Sequence, residues 1–430
     1  MKKSLIALAA LAATGLVSAQ SSVTMFGVAD IGYGSHKTTN LNGTVSLKTS
    51  GVMDGSNAGS RFGFRGVEDL GGGLSASFHL EQGISPTSAD GYNKRVGGGF
   101  HQVDAPSYTY STGNNRQTFL GLSSKALGTV RIGYQYANSY DLVAFNGLSP
   151  SEFQGGNFQN GTNVMTGSSA PSLHAAGSRA NAITYMSNNM GGFTVKAQYG
   201  SGVGRETFES TAAAATSTTV AGVGTAGGFN GTAKANAKFM SLMGQYAQGP
   251  IYVGAAYTKA TLQNEAGAAL PTGTTNAAPY SGAAITSVNA FGAVGAVTAP
   301  VNTTARGITG TQIGASYDFG MAKVSYVGGQ LKGPRATSMT SDTVKANQYA
   351  ITVPVGAAVL FASTGNLKRT TGATTDADVK GSAFGVRYNL SKRTTAYAFS
   401  GSEKNKAVIT STNAINYKDS KTVVGVSHSF

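Results

Sequence analysis

Side chains able to do covalent chemistry are few and scattered in this chain. The five histidines, His36, His79, His101, His174 and His428, have no partner at a telling spacing, and there is no cysteine. An enzymatic nucleophile or water needs an activating base close by, and no HExxH-type metal motif or glycine-rich phosphate loop is present. The glycine clusters read as turn glycines. No enzymatic activity, metal or cofactor is therefore expected. What the chain carries in a pattern is fixed charge. In Ser60–Gly83, SRFGFRGVEDLGGGLSASFHLEQG, Arg61, Gly63 and Arg65 alternate with Phe62 and Phe64. After the turn, Ser75, Ser77, His79 and Glu81 alternate with Leu74, Ala76, Phe78 and Leu80. Residues two apart share one face of a strand, so one face is apolar and the other polar and charged. Glu68–Gly73 supplies the turn, with glycines suited to positive φ. Arg131 and Arg387 hold the same polar parity in their own strands.

The elements that position these charges repeat the first hairpin. Val23–Ser35 reads as a strand, followed by a long polar connection from His36 to Gly59. Further hairpins follow at 116–136, 179–199, 239–261, 310–331, 348–365 and 382–401, each with a short turn, and Lys421–Phe430 is the last strand. Long segments separate them at 86–113, 138–177, 202–236, 263–305, 332–345, 368–378 and 403–419. The total is sixteen strands, with connections alternating strictly between long and short. That alternation predicts an all-β, 16-stranded antiparallel up-and-down transmembrane β-barrel, with every long loop at one rim and every short turn at the other. Both termini then lie at the short-turn rim, so the first and last strands pair and leave no edge. Sandwiches need no such asymmetry and seldom carry very long loops. Solenoids need a fixed period, which these spacings lack. Tyr33, Tyr134, Tyr136, Tyr257, Tyr317, Tyr326, Tyr388 and Tyr397 fall where aromatic girdles are expected.

Composition agrees. Of 430 residues only 12% are charged, and 60 are glycine, against about a quarter charged in ordinary globular chains. No apolar run after the N-terminus is long enough for a helical membrane span. Met1–Ala19 has a basic start at Lys2 and Lys3, an apolar stretch from Leu5 to Val17 and the small-residue site Val17-Ser18-Ala19. It reads as a cleaved signal peptide, with the mature chain starting at Gln20. Export without cysteine suits a bacterial envelope protein. The net charge of +14 is spread thinly along strand faces and not gathered in a dense patch, so nucleic acid is not an expected partner.

With the strands placed, the chain resembles the general-diffusion porins of beta-proteobacteria, the Neisseria, Bordetella and Comamonas type. The resemblance runs from Gln20 to Phe430. It is carried by SVTMFGVADIGYG, the Ser60–Gly83 hairpin, RQTFLGLSS, LGTVRIGYQY, NAITYMSNNMGGF, GASYDFGMAKV, GVRYNLSKRTTAYA and VGVSHSF in that order. It implies a homotrimer of barrels in the outer membrane, each with its own pore, and a constriction loop that folds into the lumen, here about 138–177. It implies an arginine cluster for anion selectivity on the wall facing that loop, at the matching positions Arg61, Arg116 and Arg179. Arg65, Arg131 and Arg387 add charge to the lumen wall. Asp141 and Glu152 are the acids of the constriction loop, placed to orient the arginines. Phe430 resembles the C-terminal aromatic that outer-membrane assembly machinery reads. The Ala/Thr-rich loops at about 202–236 and 263–305 look enlarged relative to the family.

A ring of arginines in a narrow, partly dehydrated gap attracts anions and repels cations, and arginine stays charged at any physiological pH. Strand parity opposes two of the assignments. Arg116 shares parity with Leu120 and Leu122, and Arg179 with Ile183 and Tyr185, so a regular strand turns both toward lipid. A bulge, or a position beyond the lipid-facing zone, is needed to turn them inward. The expected activity is passive diffusion of small hydrophilic solutes and ions, anions above all. The alternatives are a solute-specific channel, or a plugged adhesin-like or enzymatic barrel.

Overall fold

A computed structural model describes residues 22–40, 46–84, 86, 115–145, 179–201, 235–264, 306–334, 341–371, 374–405 and 417–430. The leader 1–19 and the loops at 202–234 and 265–305 lie outside the described residues, as does Glu152. The described chain is one closed antiparallel sheet. Its strands are β1 (Ser22–Asn40), β2 (Ser46–Asp54), β3 (Arg61–Gly71), β4 (Leu74–Gly83), β5 (Asn115–Ser124) and β6 (Gly128–Tyr136). The helix α1 (Asn138–Phe145) follows, then β7 (Arg179–Met186), β8 (Phe193–Ser201), β9 (Ala235–Gln248), β10 (Ile251–Asn264) and β11 (Arg306–Asp318). The last six are β12 (Lys323–Pro334), β13 (Ser341–Val355), β14 (Ala358–Thr371), β15 (Thr374–Asn389), β16 (Thr394–Asn405) and β17 (Tyr417–Ser429).

β2 and β3 lie end to end against the single strand β1. The upper part of β1 pairs with β2, Ile31 opposite Asp54, and the lower part pairs with β3, Val28 opposite Arg61. Together they form one stave, and the barrel has sixteen. β1 closes it against β17 from Val28–Ser429 to Asn40–Tyr417. Phe430 finishes the seam: its N–H donates to the Gly27 carbonyl and its carbonyl accepts from the Gly27 N–H, both at 3.1 Å. Its ring covers Gly27 so closely that a Cβ there would overlap it.

The alternation sorts as the pattern requires. Leu120, Leu122, Ile132, Ile183, Leu242, Val253, Ile313, Phe384 and Val424 are exposed on the outer face, where lipid and not water is the solvent. Tyr33, Tyr257, Tyr317 and Tyr388 join them. Ser241, Thr258, Gln312, Ser316, Ser325 and Ser363 face inward and are buried. Two of the expected girdle residues depart from that band: Tyr136 meets Arg116 and Tyr140, and Tyr397 turns inward. In TTAYAFSG the large residues occupy the inward parity and alanines the outward one, so Tyr397 is buried inside, stacked on Phe399 at 4.7 Å. The inner wall is also not uniformly polar. Phe361, Tyr397, Phe399, Met53 and Val423 form one buried inward cluster.

The strands are longer than the sequence alone marks. The expected connection from His36 to Gly59 is largely strand, since β1 runs to Asn40 and β2 starts at Ser46. Likewise only residues 372–373 separate β14 from β15, where a loop over 368–378 was expected. The physical reason is simple. Hydrogen-bonded ladders continue past the lipid-facing band, where both faces meet polar surroundings and the apolar alternation that marks a strand disappears.

Candidate functional site

The inner wall gathers charge along β3 to β6. Arg61 opens β3 on the same face as Gly63 and Arg65, opposite the outward Phe62 and Phe64. On β4 the inward residues are Ser77, His79 and Glu81. Glu81 is nearly buried and joins the charges on both sides. Arg61 Nε lies 3.8 Å from Glu81 Oε1, and Arg116 Nε donates to the same oxygen. His79 Nε2 lies 3.2 Å from the other oxygen. Arg116 Nη2 donates to the Tyr136 hydroxyl at 3.1 Å, and Tyr136 stacks on Tyr140 with centroids 4.4 Å apart.

The parity conflict at Arg116 is resolved by a bulge. The β4–β5 register runs Leu80–Thr118 and then Gln82–Asn115, so two residues, Arg116 and Gln117, face the single residue Glu81. One extra residue reverses the side-chain direction beyond it. Arg116 is thereby turned off the lipid face that Leu120 and Leu122 keep. Arg179 pairs through its backbone with Tyr136, which puts it on the same arc of wall. Its side chain lies outside what is described.

A second device positions Arg61. Six residues, 55–60, stand against two of β1, and the excess folds around inward-facing Asp30. The Asp30 carboxylate accepts the N–H groups of Ser56, Asn57 and Ala58 at 3.2, 3.1 and 2.9 Å and the Tyr397 hydroxyl at 2.7 Å. Gly55 turns the chain with φ 64°. Ser60 is tied to the Asp30 backbone in both directions. The break therefore ends as a fixed platform, and Arg61 Nη1 donates to the Gly59 carbonyl at 2.8 Å. A carboxylate that accepts several N–H bonds holds its loop far better than a neutral acceptor does.

The stretch after β6 enters the lumen. Asn138 is fully buried. Its N–H donates to Gln198 Oε1 at 2.9 Å, and its amide reaches the Lys196 and Ser241 carbonyls at 3.3 Å. Helix α1 then lies on the inner faces of β8 to β11. Leu142 packs with inward Met243 and Ala256, over Gly254, where a Cβ would stand 2.7 Å from Leu142 Cδ1. The helix thus lines the wall of β8 to β11, and its Tyr140 stacks on the Tyr136 that Arg116 reaches. Asp141 does not reach the arginines as expected. It accepts from Lys196 Nζ at 2.8 Å, tying α1 to β8.

Arg65, Arg131 and Arg387 face inward on the short-turn half, each over a phenylalanine ring. Sequence reasoning missed Glu81 as the hub, Asp30 as the platform and Lys196 as the partner of Asp141. Glu81 was legible in part, since it shares the parity of His79 one register step from Arg61. Asp30 gave only its polar parity in VADIGYG.

A closed barrel with an apolar outer band, a charged inner wall and a helix laid inside defines a transmembrane β-barrel protein. The chain matches the model of the Gram-negative porin family over residues 5–408 and belongs to that family. It is an outer-membrane protein of a channel-forming family, not an enzyme family. It is similar to outer membrane porin protein 32 of Delftia acidovorans, 37% identical over 203 residues, covering 45% of this chain and 48% of that one. It is 28% identical to an outer membrane porin of Bordetella pertussis across the whole of both chains. Major outer membrane protein P.IB of Neisseria meningitidis is 35% identical over 136 residues, 31% of this chain and 33% of that one. The chain thus spans about half the length of the Delftia relative and a third of the neisserial one. Among solved structures it shares the fold of the anion-selective porin from Comamonas acidovorans, with TM-score 0.60 and 22% identity over 96% of this chain and all of that one. The outer membrane channel DcaP of Acinetobacter baumannii gives TM-score 0.58 at 11% identity, over 96% and 98% of the two chains.

Proposed function

We propose that the protein is a general-diffusion porin that passes small hydrophilic solutes and ions with a preference for anions. Selectivity is set where Arg61, Arg116 and Arg179 face α1 and the loop that follows it, with about 138–177 acting as the constriction. The observation that carries the reading is the sharing of one carboxylate, Glu81, by two inward guanidiniums. With all three ionised the cluster keeps one net positive charge. Asp141 acts through Lys196 by holding the helix. Asp141 is paired with Lys196 and acts on Arg131 from a distance, and Glu152 lies outside the described residues. By family resemblance the barrels assemble as a homotrimer after a leader of 1–19 is removed, with Phe430 read by the assembly machinery. The test is the reversal potential of the purified protein across a planar bilayer in a potassium chloride gradient. An anion-selective potential is expected. A cation-selective potential, or no conductance, overturns the reading.

A further inference from the structure

Arg65, Arg131 and Arg387 stand on three different strands and share one geometry. Each lays its guanidinium over the ring of an inward phenylalanine on the neighbouring strand: Cζ is 5.2 Å from the Phe26 centroid, 4.7 Å from Phe119 and 5.3 Å from Phe361. In all three cases the phenylalanine stands opposite a glycine, Phe26 with Gly63, Phe119 with Gly133 and Phe361 with Gly385. The arginine lies two residues from that glycine, always on its short-turn side. β3 and β15 run toward the short turns and carry the arginine after the glycine; β6 runs away from one and carries it before. The register thus makes arginine and ring diagonal neighbours on one face. The glycine lets the ring lie against the wall. A Cβ at Gly63 would stand 2.8 Å from Phe26 Cζ, at Gly133 3.1 Å from Phe119 Cβ, and at Gly385 2.9 Å from Phe361 Cε1.

Among the described residues no carboxylate forms an ion pair with any of the three. The Nε atoms of Arg131 and Arg387 are buried without a hydrogen-bond partner. Asp141 acts on Arg131 only at a distance and is itself paired with Lys196, so among the described residues the ring is the group in direct contact with each guanidinium. A planar guanidinium stacks on an aromatic face while keeping its full charge, which an ammonium on a flexible stem does less well. His79 stands between the first two rings, 5.1 Å from Phe26 and 5.3 Å from Phe119. Thr24, Arg65, Ser77, His79, Phe119 and Arg131 line one recess.

We propose that these arginines are three pre-oriented stations for small anions, chloride and simple carboxylates, between the arginine cluster and the short-turn mouth, and that Phe26, Phe119 and Phe361 are their positioning residues. The proposal rests on the porin reading. A wall charge without a direct ion-pair partner raises the local anion concentration, most strongly at low ionic strength, where screening is weak.

The test compares Arg131→Gln, Phe119→Leu and Phe119→Tyr in planar bilayers, with chloride and then acetate as the anion. Folding of each is checked by the heat-dependent mobility of the barrel on a gel. Arg131→Gln is expected to lower the anion-to-cation permeability ratio about twofold at ~0.05 M salt, with a much smaller effect at about 1 M, as screening requires. Phe119→Leu keeps every charge and is expected to produce part of the same loss, while Phe119→Tyr keeps the wild-type ratio. If Phe119→Leu does not fold, Phe361→Leu with Phe361→Tyr makes the same comparison. An unchanged ratio in Arg131→Gln overturns the station, and a loss there with none in the leucine variant reduces the ring to packing. The arginine cluster is judged separately, from the sign of the wild-type reversal potential.

Discussion

Arg61→Gln and Glu81→Gln change one charge cluster by one unit in opposite directions. Arg61 is the more accessible of the two arginines, 26% exposed against 14% for Arg116, and Glu81 is 6% exposed. An ion in the lumen therefore approaches Arg61 more freely than Arg116. A monovalent ion passing at about 6 Å from a unit charge exchanges ~0.7 kcal/mol at the dielectric of water. Screening at 0.1 M salt, where the Debye length is about 10 Å, leaves roughly half of that. Removing the charge weakens the attraction for an anion and the repulsion of a cation together, so the permeability ratio moves by about 0.7–1.4 kcal/mol, roughly three- to tenfold. Arg61→Gln is expected to lower the chloride-to-potassium ratio by that factor. Glu81→Gln is expected to raise it, because glutamine keeps the acceptor oxygen for Arg116 and discards the charge. The assay is the reversal potential in a potassium chloride gradient, at two salt concentrations. If both variants shift the ratio in the same direction, or neither shifts it, the cluster does not govern selectivity.

Three further outcomes follow from the geometry. Asp30→Ala removes four hydrogen bonds to a buried carboxylate and is expected to cost roughly 3 kcal/mol, lowering the temperature at which the folded barrel converts to the unfolded gel form; an unchanged transition would mean that residues 55–60 hold their shape alone. Gly27→Ala sets a Cβ against the Phe430 ring and is expected to slow barrel closure, seen as slower recovery of the compact gel form on refolding into detergent, whereas Gly51→Ala, where a Cβ meets nothing within 4 Å, should refold at the normal rate. Asn138→Ala removes the two side-chain amide bonds from the start of α1 to β8 and β9 while keeping the backbone bond to Gln198, and is expected to increase open-channel current noise with little change in ion preference; a quiet channel would show that the backbone bond, Leu142 and the Asp141–Lys196 pair seat the helix without it.

Much of the barrel is legible without coordinates. Sixteen strands, their order and the side that faces lipid all follow from period-two alternation and from the regular exchange of short turns and long connections. Period two is set by the geometry of each strand alone, so it survives in the sequence. What fails is the reading of strand ends and of the break at 55–60, since neither leaves an apolar stripe. The outward reading of Tyr397 fails for a related reason: alanine, not the aromatic, takes the lipid face of β16.

The candidate site divides in the same way. Parity placed Arg61, Arg65, Arg131 and Arg387 inside, and it raised the difficulty at Arg116 along with the bulge that answers it. Which charge pairs with which partner was decided only by the fold. Glu81 joins Arg61 and Arg116 from 20 and 35 positions away. Lys196 takes Asp141 across 55 positions, and Tyr397 reaches Asp30 across 367. Such partners meet only when neighbouring staves pair in one register and the first strand closes on the last. A pattern read along one strand carries no information about the strand beside it, so the sequence determined which faces are charged and the closed barrel decided what those charges hold.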